Sequence, residues 1–268
     1  MKKRVIIIFL SVTAILAVLF LTIKADIPVE DKKSFDVPGN ASEYDIENIS
    51  MNERSPLRGK KIVFLGSSVT FGAAAEGQSF VDLFEKADGV NVIKEARSGT
   101  TLADMDSVPG TGGEDSYIRR LKMLDTGLDP DCVVCQLSTN DAMMKIPLGE
   151  ISDKFELASF DTKTVTGAME YIIAYCQKQW NCPVVFYTGS YFESEAYSAM
   201  VDRLYELKEK WNIGVIDLYK DEAFNAIDEE TYAFYMYDPI HPTKAGYIKW
   251  WMPKMEADLI RILDGKAR

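Results

Sequence analysis

Lys61-Ile62-Val63-Phe64-Leu65-Gly66-Ser67-Ser68-Val69-Thr70-Phe71-Gly72 runs from a continuous apolar stretch into a glycine and two serines. Apolar side chains without polar alternation predict a strand buried on both faces, as in a parallel sheet covered by helices. Gly66 closes that strand, so Ser67 and Ser68 fall on a tight turn at its carboxyl end.

The pattern repeats downstream. Residues 79–87 read as a helix and 90–93 as a second strand. Residues 116–124 are helical, with Ile118, Leu121 and Leu124 on one face, and 132–137 form a third strand. A helix over 164–180 buries Met169, Ile172, Ile173, Cys176 and Trp180, and 183–187 is the fourth strand. A helix over 195–211, with Met200, Leu204, Leu207 and Trp211 as its stripe, precedes a fifth strand over 213–218. Thr243 is the expected N-cap of a last helix that Pro253 should kink, because proline lacks the backbone donor and clashes one turn back. Strands alternating with helices predict an α/β protein, a three-layer α/β/α fold on a five-stranded parallel sheet of flavodoxin-like type. In such sheets ligands bind beyond the carboxyl ends of the strands.

The chain has one histidine, His241, within Tyr237-Asp238-Pro239-Ile240-His241-Pro242. Imidazole titrates near neutral pH and serves as general base and acid in acyl chemistry. A carboxylate three residues upstream, Asp238, is placed to hold its other nitrogen. With a serine on a strand-end turn, this pair points to a serine hydrolase. A lone histidine by itself is an ordinary surface or core residue; the company it keeps carries the reading.

Four blocks in order resemble the SGNH hydrolases, also called the GDSL esterase/lipase family, over roughly residues 59–264. They are Gly66-Ser67-Ser68, Ser98-Gly99-Thr100-Thr101, Ser138-Thr139-Asn140-Asp141 and Asp238-Pro239-Ile240-His241-Pro242. The resemblance implies Ser68 as nucleophile, His241 as base and Asp238 as its orienting acid. It also implies an oxyanion hole of the Ser68 N–H, the Gly99 N–H and the Asn140 side-chain amide. Ser67 stands where the family name implies aspartate, and Ser138 where glycine is usual. Counting from Gly66 favours Ser68 over Ser67 as the nucleophile. By itself Asn140 would read as a turn former after a strand.

Composition narrows the rest. Hydrophobic residues make up 47% and charged residues 26%, as in a globular protein. A net charge of −11 argues against nucleic acid as a partner, since phosphate binding needs clustered Lys and Arg. Gly110-Thr111-Gly112-Gly113 lacks the Lys-Ser/Thr of a phosphate loop and reads as plain loop, and no cofactor is expected. Cys132 and Cys135 should point to opposite faces of their strand, which with a single histidine speaks against a metal site. At least three of the four cysteines should be small buried hydrophobes, with a Cys176–Cys182 bridge left open. The acidic pairs at Asp221-Glu222 and Asp228-Glu229-Glu230 read as solvated faces. Met143, Met144 and the segment to Ser159 either cover the acyl pocket or form a surface loop.

At the N-terminus, Lys2-Lys3-Arg4 precedes an apolar stretch over residues 5–23. Nineteen helical residues span about 28 Å, near a bilayer's hydrocarbon thickness. Residues 1–4 should stay cytoplasmic, 5–23 form a transmembrane anchor, with a cleaved signal peptide as the rival, and 24–58 form a polar stalk before a domain over 59–268. The expectation is an extracytoplasmic, membrane-held serine esterase acting on a short acyl ester. A carbohydrate is suggested by analogy with cell-surface family members. An acyltransferase with the same triad and a non-catalytic wall-binding module are the alternatives.

Overall fold

The computed structural model describes residues 35–105 and 115–265. The apolar run becomes strand β1 (Lys61–Gly66), whose residues from Ile62 onward are all buried. Turn by turn the chain then forms α1 (Ser68–Phe71), α2 (Phe80–Asp88), β2 (Asn91–Ala96), α3 (Tyr117–Met123), β3 (Cys132–Gln136), α4 (Thr139–Met143), α5 (Val165–Trp180), β4 (Val184–Tyr187), α6 (Glu195–Trp211) and β5 (Gly214–Ile216). The five strands are parallel in the order β2-β1-β3-β4-β5. The expected α/β fold is therefore present, with helices on both faces.

Strand periodicity sorts the core. Val63, Leu65, Val133 and Cys135 pack under α3, α5 and α6 with Ile118, Ile172 and Leu204. Ile62, Phe64, Cys132 and Val134 face the opposite layer with Phe80, Phe84, Trp251 and Leu259. Cys132 and Cys135 thus lie on opposite faces, as a spacing of three on a strand requires. All four cysteines are buried free thiols, so the Cys176–Cys182 bridge does not form.

Register positions the site. Gly66 pairs with Ala96, and Leu65 with Cys135, so β1, β2 and β3 end level. The turns that follow them emerge side by side, carrying Ser68, Gly99 and Asn140.

Several boundaries differ from expectation for identifiable reasons. Ser79, Ser116 and Thr164 are N-caps, their hydroxyls accepting from Val81, Arg119 and Gly167 N–H, and so sit one residue outside their helices. β2 continues to Ala96 through Lys94 and Glu95. At a sheet edge such polar residues keep ladder bonds while their heads reach water or partners, and Lys94 Nζ meets Asp82 at 2.6 Å. After β5 come two short helices, α7 (Glu222–Asn225) and α8 (Glu229–Tyr235). Asp221 and Asp228, read as solvated, are their N-caps. Lys244–Gly246 (α9) opens a π turn, Tyr247–Trp251, before α10 (Met252–Leu263). Pro253 sits in the first turn of α10, where its missing donor goes unneeded, so the expected interruption falls just before it.

The largest correction concerns the stalk. Residues 35–58, expected as a loose linker, pack on the domain through short 3-10 turns. Asn40 is buried, Leu57 is in the core, and Asn52 N–H bonds Ala87 O at 2.6 Å. Short polar turns carry no hydrophobic period, so pattern alone misses them. Within the segment from Met144 to Ser159, residues 152–154 are fastened to α5 and α6 by buried Glu170 and half-buried Lys210: Ser152 N–H bonds Glu170 Oε2 at 2.9 Å, and Lys210 Nζ bonds Lys154 O at 2.9 Å. Lys210 lies at the end of α6 leading into β5, so residues 152–154 sit away from the strand carboxyl ends, whereas Met144 directly follows α4 and its N–H bonds Asn140 O at 2.8 Å. Among the described residues no helix is long and apolar enough to cross a membrane. The apolar segment over 5–23 and the 110–113 glycine loop lie outside the described residues.

Candidate active site

Ser68 is the first residue of α1, with buried Ser67 as its N-cap position. Gly66 is required behind it: a Cβ there would stand 1.7 Å from Thr70 Oγ1 and 2.9 Å from Gln136 Oε1. Those two groups shape the turn. Gln136 Oε1 accepts from Ser67 N–H at 2.9 Å and Thr70 Oγ1–H at 2.8 Å, so the end of β3 holds the turn leaving β1. Ser67 Oγ also reaches Gln136, at 3.3 Å, and is fully buried. Ser68 Oγ instead meets His241 Nε2 at 2.7 Å. The two adjacent hydroxyls thus have different partners, Gln136 for Ser67 and His241 for Ser68.

His241 follows α8 on a loop tied by the Met236–Pro242 bridge. Its Nδ1 lies 2.9 and 2.8 Å from the two Asp238 oxygens. Asp238 Oδ1 also accepts the N–H groups of Ile240 and His241, at 2.9 and 2.8 Å. Burial works against charge on this carboxyl. The bonds from the His241 ring and these two amides outweigh it and hold its pKa down at about 2. An ionised Asp238 accepts from Nδ1–H, which leaves Nε2 as the lone-pair nitrogen facing Ser68.

The three donors named by the motif blocks are unengaged or only partly engaged. Among the described residues, the N–H groups of Ser68 and Gly99 have no protein acceptor. Gly99 adopts φ +78°, a left-handed conformation that disfavours side chains, and the space where a Cβ would sit is open. Asn140, in the first turn of α4, uses one amide hydrogen on Thr100 O at 2.8 Å and keeps the other.

Two residues that sequence reasoning left without a role hold this loop. Asp141, fully buried, accepts Leu102 N–H at 2.9 Å and Ala103 N–H at 3.0 Å, binding the segment after Gly99 to α4. Burial raises its pKa to about 6, against the bonds from Ser138 and these amides. Arg120 bonds Gly66 O at 2.8 Å and Thr100 Oγ1 at 3.2 Å, and reaches Glu95 O, joining the ends of β1 and β2. A buried Arg in an amphipathic helix and an acid beside Asn140 were the available signals. Neither type by itself separates a brace from a surface charge. Among the described residues no cluster of three or more His, Cys, Asp and Glu could hold a metal ion.

A parallel α/β sheet with serine, histidine and aspartate in series beyond its strand ends defines a hydrolase-type α/β protein. Residues 64–248 match the model of the GDSL-like lipase/acylhydrolase family, and the chain belongs to that family. Solved structures share the fold. One from Lactobacillus plantarum is 20% identical with a TM-score of 0.59, covering 78% of this chain and 98% of its own. A member of the lipolytic G-D-S-L family from Veillonella parvula is 16% identical, TM-score 0.51, covering 75% and 98%. An acetyl xylan esterase, AlAXEase, is 20% identical, TM-score 0.52, covering 74% and 98%. No curated protein matches the chain in sequence.

Proposed function

We propose that this hydrolase is an extracytoplasmic serine esterase that removes a short acyl group, such as acetyl, from a carbohydrate. Ser68 is the nucleophile, His241 the base and Asp238 the group that orients it. The observation that carries the reading is the 2.7 Å contact between Ser68 Oγ and His241 Nε2, with Asp238 on the far nitrogen.

The chemistry follows from those positions. Nε2 takes the Ser68 proton as Oγ attacks the ester carbonyl carbon. The carbonyl electrons move onto oxygen, where the N–H groups of Ser68 and Gly99 and the free amide hydrogen of Asn140 receive the charge. Preformed donors of this kind lower the barrier by about 3–4 kcal/mol each. The imidazolium returns its proton to the leaving alkoxide, and the alcohol departs. Water, deprotonated by Nε2, then attacks the acyl-Ser68 carbonyl, and collapse expels Ser68 Oγ, which recovers the proton.

The carbohydrate preference is supported by the fold shared with an acetyl xylan esterase. Placement outside the cytoplasm is supported by Lys2-Lys3-Arg4 and the apolar stretch after it. A fluorophosphonate probe tests the core of the reading: it should label wild type and Ser67→Ala on Ser68, and leave Ser68→Ala unlabelled. An adduct on Ser67 would overturn the assignment; no adduct on folded protein would point to a non-catalytic binding module. Released acetate from acetylated xylo-oligosaccharides supports hydrolysis, whereas acetyl appearing only on an added sugar would mark an acyltransferase.

A further inference from the structure

Ser68 and His241 are 173 residues apart, and no covalent link sets their spacing. The packed segment at residues 35–58 supplies a non-covalent one. Asn40, 8% exposed, donates both amide hydrogens, to Phe35 O at 2.8 Å and Ala74 O at 2.7 Å. Its Oδ1 accepts the N–H of Lys244 at 2.9 Å. Two carbonyls on one side and an N–H on the other leave the amide one workable orientation.

Both remote partners matter. Ala74 is on the turn that closes α1, where Gly72 and Ala73 N–H both return to Ser68 O at 2.9 Å. Lys244 is three residues beyond His241. One side chain therefore joins the turn after Ser68 to the segment after His241.

The same three pieces are joined again by charge. The Lys244 side chain is 3% exposed and pairs with Asp45 of the N-terminal segment and Glu76 of the post-Ser68 turn. The fit is close: a Cβ on Gly39 would lie 2.1 Å from Phe234 O and 2.5 Å from Thr243 Oγ1. Phe35 packs edge-on against Tyr237, the neighbour of Asp238, with ring centroids 5.2 Å apart.

We propose that Asn40 is a positioning residue for ester hydrolysis, setting the Ser68–His241 spacing by clasping Ala74 and Lys244 together. The proposal rests on the Ser68–His241–Asp238 reading. Misplacing a catalytic pair by about 1 Å costs up to about a hundredfold in rate, so a clasp at this point acts on turnover more than on substrate binding.

The test uses the full-length chain with Asn40→Ala and Asn40→Asp. It compares kcat and KM on p-nitrophenyl acetate, the rate of fluorophosphonate labelling, and the folded fraction by circular dichroism. Folded Asn40→Ala should lose about tenfold or more in kcat and in labelling rate, with KM within about twofold. Asn40→Asp keeps an acceptor for Lys244 N–H but sets a donor-less carboxylate against the Phe35 and Ala74 carbonyls, and should lose at least as much kcat as Asn40→Ala. A purely structural Asn40 would lower the melting temperature and leave turnover per folded molecule unchanged, which would overturn the proposal. If Asn40→Ala does not fold, Asn40→Asp decides by the same criteria. A wild type that takes no label at all sinks the esterase reading instead, so the two failures are separable.

Discussion

His241 is the chain's only imidazole, so the proposed Ser68–His241–Asp238 triad has no substitute base. His241→Ala should lower esterase kcat by several orders of magnitude with the fold retained. Asp238→Asn should cost on the order of 10⁴ in kcat by presenting the wrong tautomer to Ser68. Esterase assays on both variants check this, and near-native turnover in either removes the triad. With its pKa held at about 2, below the ordinary 3.8, Asp238 contributes stability that is present above pH 4 and lost only as pH falls through 2. Asp141 has the opposite sign. Its pKa is raised to about 6, so its contribution is full below about pH 4 and is lost as pH rises through 6, on the order of 3 kcal/mol in all. Urea unfolding at pH 4.5 and 7 should show wild type losing more stability across that interval than Asp141→Asn. Equal slopes would show that Asp141 is not buried as described.

Turns and caps at the strand ends are where single elements meet the site. Gln136 at the end of β3 and Arg120 on α3 hold the turns leaving β1 and β2, which makes the strand ends one unit. Helix stability elsewhere should be separable from chemistry. Thr164 caps α5 by accepting Gly167 N–H at 3.2 Å. Thr164→Ala should cost about 1 kcal/mol, or roughly 2–4 °C in melting temperature. Its kcat should match wild type; a fall in kcat per folded molecule would mean that α5 communicates with the site.

On the scale of the whole molecule, the N-terminal segment at residues 35–58 belongs to the folded body, so any tether begins upstream of Phe35. The basic cluster and the apolar stretch over 5–23 predict that full-length protein resists extraction by alkaline wash while external protease reaches the domain. Mature protein in the medium beginning near Ala25 or Asp26 would show a cleaved signal instead.

Apolar runs of four to six residues, periodic helix faces and serine or threonine caps are local properties, and they determined the α/β alternation and the parallel sheet. The four motif blocks likewise marked Ser68, Gly99, Asn140, Asp238 and His241, because each sits where a strand ends or in a late loop. Direction and partnership were not local. Ser67 and Ser68 are adjacent and chemically alike; only the placement of Gln136 behind one and His241 before the other separates them. The same holds for Asp141, Arg120 and Asn40, polar residues whose roles depend on carbonyls and amides distant in sequence. A polar side chain carries no periodic signal of what it will bond to, so the braces of this site, and the segment mistaken for a stalk, were decided by the tertiary fold.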